Sequence, residues 1–500
     1  MPADPSFPDP ALNPGITPEE LAGNSEAAEE DMSSSDLAAY VMDCVKEHDD
    51  ESGQHLDDAV KHDALYRSIP TAIPEVNEED VFARTSIMEA FTDVETVHGN
   101  LSSLLFGEDP FFEINAPDLD MDKIEEAIGW QQLLEHQLRE MRFGTKRDMI
   151  LRYGILHGTV VIGTPWDVRY RWRDDGDHWQ AVPYTDHPGL ELIPITQFAR
   201  EPGADDIESA AWVVKQSDGL PADVGRIMAA ARSLPGAVID EDALDQAVRD
   251  EGKKADKIND RTESLGKQRG YKAGESKTRR LRIAEFWGFH PGEKHKDRPI
   301  VWRVLVLNER YAVVRYPNPF RDGFKPFIKA NLIPVENSFY GIGAGHILAR
   351  SQTEINHGRA MIRNAFLKAS YGMVIVDRLP DPDLKFFYEP GKMISRQELP
   401  NAEPWVEDMK WVETAIQMES MTKDDMRRAV VANEVTQAIA TDSTAQENRS
   451  LVSATAKRLL PFVTSLTENL LRPYMQRMIA LNEQFLPDET LVRVIGEKGR

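Results

Sequence analysis

The chemically suggestive residues of this 500-residue chain are a glycine cluster, one cysteine, a histidine pair and two neighbouring aspartates. Gly341-Ile-Gly343-Ala-Gly345 resembles a dinucleotide-binding turn, where glycines let the backbone approach a pyrophosphate at a helix N-terminus. Its third glycine falls one residue early, and Asn337–Tyr340 precedes it in place of a buried βαβ strand. The expected role is therefore glycine flexibility at a helix entrance. Cys44 lies in an acidic segment, which raises a thiol pKa where a nucleophile needs it lowered. The twelve histidines are scattered; His290 and His295 flank a turn, HPGEKH, and are expected in solvent rather than on a metal. Asp381 and Asp383 bracket Pro382, a turn signature more than a carboxylate pair. The chain contains no GxxxxGK[ST], GxSxG or HExxH pattern. The expectation is a protein that is not an enzyme and carries neither cofactor nor metal.

Composition narrows the class further. Hydrophobic residues make up 41%, enough to build a core and to exclude wholesale disorder. A single cysteine rules out an intramolecular disulfide framework. No apolar run reaches the roughly 18 residues that a membrane-spanning helix needs, and the N-terminal residues have no secretory-signal pattern. With 84 acidic against 58 basic residues the formal charge is −26, so composition does not suggest a basic nucleic-acid binder. The acidity is concentrated: residues 1–60 hold 16 Asp or Glu against one basic residue, Lys46. Six prolines among the first twenty residues mark residues 1–34 as a solvated acidic tail. Residues 249–282 reverse the sign, with twelve basic and six acidic residues. They read either as a phosphate-binding patch or as an exposed charged loop.

The elements that would position these residues follow from hydrophobic spacing. A helix is expected from Ser35–Asp36 through Val45, a second over Glu78–Gly107, and a third over Asp122–His157. β-branched and aromatic residues then predict strands at 159–172, Leu190–Phe198, Leu281–His290 and Ile300–Tyr316. Helical and charged insertions interrupt them at 220–280. Beyond Pro334 the chain is mainly helical. In the helix predicted over Ile347–Ser370, Leu348, Ile355, Ile362 and Ala369 recur every seven residues beside the small Ser351, Gly358 and Ala365. That seam suits close helix packing or an ordinary amphipathic core helix. Residues 371–406 return to strand and turn, and Met409–Asn433 is helical, with Met409, Met418, Met421 and Met426 expected to fill gaps in the core. Thr441–Ser443 is a polar break, and Thr444 with Glu447 has capping-box spacing. A long helix then runs to Phe485, bent or broken at Pro461 and Pro473.

The order of these elements resembles the portal proteins of tailed bacteriophages, nearest to those of short-tailed phages, over roughly residues 80–495. HGTVVIGTPW and LELIPITQFAREPGADDIESAAWVVKQ resemble the family's wing. NSFYGIGAGHILARSQTEINHGRAMIRNAFLKAS is similar to its glycine-led first stem helix. VTQAIATDSTAQENRSLVSATAKRLLPFVTSLTENLLRPYMQRMIALNEQF resembles its tunnel loop and long kinked helix. Many members continue into further β structure and a helical crown, whereas this chain stops at Arg500.

The resemblance implies a helix-rich α+β fold. Residues 35–340 would be the wing, 341–370 the first stem helix and 371–406 the clip. Residues 407–433 would be the second stem helix, 434–450 the tunnel loop, and 451–500 the long kinked helix and the start of the C-terminal region. It further implies a ring of about twelve copies at one capsid vertex, assembled in the host cytoplasm and retained in the virion. Double-stranded DNA, bound without sequence specificity, would be packaged and ejected through the channel. Partners would be the large terminase, the major capsid and scaffolding proteins, and tail adaptor proteins, with no membrane. Thr441, Asp442, Ser443, Thr444, Gln446 and Asn448 fall at the tunnel loop, where small polar groups suit weak backbone contact. Arg359, Arg363 and Lys368 on the first stem helix would line the channel or pair with a neighbouring subunit. Asp381, Asp383, Lys385, Glu389 and Lys392 fall on the clip docking surface. The alternative is a non-portal oligomeric α/β interaction scaffold without a DNA channel.

Overall fold

The computed structural model describes residues 32–69, 86–108, 110–115, 121–174, 179–232, 234, 236–249, 281–289, 300–371, 373–375, 403–405, 410–430 and 457–486. Helix outweighs strand and the two are mixed along the chain, an α+β fold. The helices are α1 (Ser34–Tyr66), α2 (Glu89–Phe106), α3 (Met121–Glu140), α4 (Phe143–His157), α5 (Pro221–Ala231) and α6 (Glu241–Arg249), then α7 (Ala344–Tyr371) and α8 (Lys410–Ala429). Next come α9 (457–466), a π-turn at Thr467–Leu471, and α10 (Arg472–Phe485).

The largest sheet is antiparallel, in the order β5 (Phe198–Arg200), β6 (Trp212–Gly219), β8 (Leu281–Phe289), β9 (Val301–Leu307), β10 (Tyr311–Pro317) and β7 (Val238–Ile239). Alternate side chains face opposite sides of a strand, and both sides are covered here. Phe286, Val304 and Val306 pack with Leu37, Val41 and Val45 of α1. Ile283, Leu305 and Leu307 pack with Val224, Met228 and Ala247 of α5 and α6. A second antiparallel sheet orders β11 (Phe327–Asn331), β1 (Thr159–Gly163) and β4 (Glu191–Ile193). Its Val160 and Ile162 join the core formed by α2, α3, α4, α7 and α10. Two further pairs are β2 (Trp166–Asp174) with β3 (Trp179–Pro188), and β12 (Met373–Ile375) with β13 (Glu403–Trp405).

Several sequence expectations are corrected. α1 runs on to Tyr66, 33 residues in all, because Leu56, Ala59 and Leu65 extend its buried side. At about 1.5 Å per residue it spans about 50 Å, from the sheet to the start of α7. The single helix expected at 122–157 is two, divided at Arg142, whose φ of 55° and ψ of 50° are left-handed. That turn sends Phe143 into the core, stacked on Phe111 at 5.3 Å. The strand expected at 300–316 is a hairpin, turned by Asn308 and Glu309 at φ 47° and 65°. These two residues form a tight turn without the glycine that would have announced it. The strand expected at 159–172 breaks at Thr164-Pro165. The helix expected from Glu78 begins, within the described residues, at Glu89. In the C-terminal helix the irregularity is the π-turn just before Pro473. There the Arg472 N–H bonds to the Thr467 carbonyl, five residues back. Pro461 lies inside the regular α9.

Candidate functional site

The sequence singled out the start and body of α7, and the structure builds two distinct arrangements there. The first is a close backbone crossing. Gly158 ends α4 in a left-handed conformation, φ 81°, and its carbonyl accepts the Leu332 N–H at 2.7 Å. Gly341 and Gly343 lie directly against it: a Cβ on Gly341 would stand 2.8 Å from the Gly158 oxygen, and one on Gly343 2.6 Å from the Leu156 oxygen. A Cβ on Gly345 would stand 2.6 Å from His62 Cγ. The glycine cluster therefore serves close packing between backbones, not the flexibility expected of it. The Gly341 N–H is satisfied by Thr159 Oγ1 at 2.8 Å.

The same crossing gathers histidines that looked scattered in the sequence. His48, His55 and His62 are seven residues apart, two helical turns, and so share one side of α1. His55 stacks between Tyr340 at 4.2 Å and His346 at 5.1 Å, while His62 meets His346 edge-on at 4.5 Å. Burial pushes His55 and His62 down to about 4 and lowers His346 as well. The seven-residue spacing of His48, His55 and His62 was the available signal. His346, nearly 300 residues away, had none. Burial also raises the Cys44 thiol to about 11, helped by Glu47 and Asp43, as its acidic surroundings implied. Among the described residues no group of three His, Cys, Asp or Glu is arranged to hold a metal ion.

The second arrangement lies along α7 and α8, which run antiparallel. Gln352 and Asn356, both buried in α7, cap the start of α2. Gln352 Oε1 accepts the Ala90 N–H at 2.8 Å, Asn356 Oδ1 accepts the Ile87 N–H at 3.0 Å, and Gln352 Nε2 donates to the Ile87 carbonyl at 2.9 Å. Further along α7, Arg359 Nε lies 2.5 Å from Glu419 Oε2 on α8. Lys423 bridges Glu419 at 3.0 Å and Glu89 at 3.6 Å, and Arg427 reaches Glu89 at 2.8 Å. Asp93, fully buried one turn after Glu89, is raised to about 7 by burial and by the Glu89 charge, against the pull of Arg427. Three helices are thus joined through alternating charges.

Arg359 accordingly has a partner within its own chain, while Arg363 is exposed. Lys368 lies in α7, and its side chain is outside the described residues. Thr441, Asp442, Ser443, Thr444, Gln446 and Asn448 lie outside the described residues, as do Asp381, Asp383, Lys385, Glu389, Lys392, His290, His295 and the basic stretch at 250–280. Met426 is buried as expected, whereas Met418 and Met421 are exposed together with Ile416 on α8 and with Met361 and Phe366 on α7. A Cβ added at Gly358 would meet nothing within 4 Å among the described residues. Among the described residues, Ala365 is the buried member of the small-residue seam, while Ser351 and Gly358 are partly exposed. Among the described residues no helix is long and apolar enough to cross a membrane.

No family model matches the chain, and no curated protein matches it.

Proposed function

We propose that this protein is a portal: a ring of about twelve copies at one vertex of a tailed-phage capsid, through which double-stranded DNA is packaged and ejected. The observation that carries this reading is the helical hairpin of α7 and α8. Its inner side is sealed by Arg359, Glu419 and Lys423. Met361 and Phe366 on one arm and Ile416, Met418 and Met421 on the other remain exposed, Phe366 by 63% and Met421 by 68%. Large apolar residues left exposed at several points along both arms of a single chain suit burial against other copies, and neighbouring stems in a ring would bury them. The element order supports the same reading: a long helix, the β12–β13 pair, a returning helix, and a late helix with a π-turn.

In this reading the conduit binds phosphates weakly and without reading bases. Acidic chains, each of formal charge −26, let a polyanion slide where a basic lining would hold it by counterion release. Arg363 and Lys368 would supply local contacts, and the loop at 434–450 would narrow the passage. Chemical work would fall to the terminase docked on the clip, and tail adaptors would take its place after packaging.

Native mass spectrometry with electron micrographs of the purified protein tests the proposal. Twelve copies of a 56.4 kDa chain amount to about 677 kDa, in rings with an open centre. Replacing Phe366→Glu and Met418→Glu together is expected to dissociate them. A compact dimer or tetramer without a hole overturns the portal reading in favour of a scaffold.

A further inference from the structure

We propose that the stacked histidines joining α1 to the start of α7 form an acid-operated latch, in which protonation releases the C-terminal half of α1 while its N-terminal half stays on the sheet. The inference concerns contacts within one chain and stands apart from the proposed function.

The geometry leaves little room for charge. His55 is held face-on between Tyr340 and His346, and His62 meets the edge of the same His346 ring. Gly345 lies so near His62 that a Cβ there would stand 2.6 Å from the His62 Cγ, and the two chain segments leave little space between them. His55 Nε2 and His62 Nδ1 are buried and find no hydrogen-bond partner among the described residues. A proton placed on either has no acceptor there, and protons on two rings set like charges about one ring-width apart.

The surrounding ionisable groups do not compensate. On α1, Asp58 lies one turn from both His55 and His62 and favours their charged forms, but it is already paired with Lys61 at 2.8 Å. Lys61 itself opposes a charge on His62. Beyond Tyr340 lie His48, whose Nε2 is 3.2 Å from the Tyr340 hydroxyl, and Arg200, whose guanidinium sits 5.7 Å from the Tyr340 ring centre. Arg200 is paired with Glu51 at 3.0 Å. From α4, His157 packs on Tyr153 at 4.3 Å. His62 lines a cavity together with Ala90 and Val94 of α2 and Tyr66 of α1, and Tyr66 donates its hydroxyl to Glu95. One half-exposed carboxylate thus serves three imidazoles.

The two halves of α1 differ in what holds them. Leu37, Val41 and Val45 sit on the sheet by apolar contact that pH does not alter. The half beyond Gly53 depends on Leu56, Ala59 and Leu65 together with the histidine stack. Gly53, a weak helix former, divides them.

Because the folded imidazoles favour the neutral form, the closed state is fully held above about pH 6.5, the ordinary histidine value, and loosens as pH falls below it. With two protons taken up, the opening equilibrium rises up to about a hundredfold per pH unit in that window. Amide hydrogen exchange read by mass spectrometry at a series of pH values, corrected for the intrinsic pH dependence of exchange, tests this on the full chain. Residues 54–66 are expected to lose protection between about pH 6.5 and 4 while β8–β10 keep theirs. His55→Phe with His62→Leu, which preserves bulk and cannot take a proton, is expected to abolish that loss. Protection of 54–66 that is independent of pH, or lost together with the sheet, or lost equally in the variant, overturns the latch. Should the variant not fold, C2–H exchange of the individual imidazoles in the wild-type protein decides: titration of His55 and His62 well below 6 upholds the latch, and titration near 6.5 overturns it.

Discussion

Arg359 on α7 and Glu419 on α8, 60 positions apart in the chain, stand 2.5 Å apart, nitrogen to oxygen, and tie the two helices together. The carboxylate is nearly buried, at 8% side-chain exposure, while the guanidinium is 42% exposed. Their attraction is therefore partly screened on one side only. Lys423 on the same carboxylate makes Glu419 the centre of the hairpin.

Glu419→Gln is expected to lower stability by about 1–3 kcal/mol, less than a fully buried pair because water screens Arg359. Chemical denaturation measures it. A change within about 0.3 kcal/mol would mean that the hairpin is held by apolar contact alone.

Gln352→Leu removes the acceptor for the Ala90 N–H and the donor to the Ile87 carbonyl. Leaving those two groups unmet should cost about 2–4 kcal/mol, and amides in the first turn of α2 should lose protection before those of the sheet. Equal protection of those amides in Gln352→Leu and in the wild type would place the cap elsewhere.

The glycines of and around α7 should separate cleanly. Gly343→Ala drives a Cβ against the Leu156 carbonyl and should cost at least about 2–3 kcal/mol or prevent folding. Gly358→Ala meets nothing within 4 Å among the described residues and should stabilise the isolated chain by about 0.5–1 kcal/mol through helix propensity. A matched pair of thermal melts compares them.

Asp93 reverses the usual acid behaviour of a carboxylate. Its folded pKa of about 7 lies above its ordinary 3.8, so the folded state binds the proton more tightly. Its contribution is therefore fully present below about pH 4 and fades as pH rises through 7. Asp93→Asn should accordingly gain stability relative to wild type on going from pH 5 to pH 8, by up to about 3 kcal/mol. An unchanged difference between those pH values would show that Asp93 is ionised at both.

Hydrophobic spacing alone made the helix-rich α+β character legible, along with the helix at 344–371, the returning helix at 410–429 and the strand at 281–289. Each of these depends on periodicities of 3.6 or 2 that residues impose on their immediate neighbours. Cys44 was legible too, because its acidic neighbours are adjacent in sequence. The division of the helix at Arg142 was not, since a left-handed arginine has no local signature and is held there by Phe143 stacking on Phe111. Nor could the glycines at 341–345 reveal their role: a missing Cβ reads as freedom in sequence and as contact only when Gly158 lies against it. The histidine stack and the cap from Gln352 likewise join residues some 260 to 290 positions apart. Local spacing chose the elements; side-chain shape and charge meeting across the closed chain decided which residues became partners.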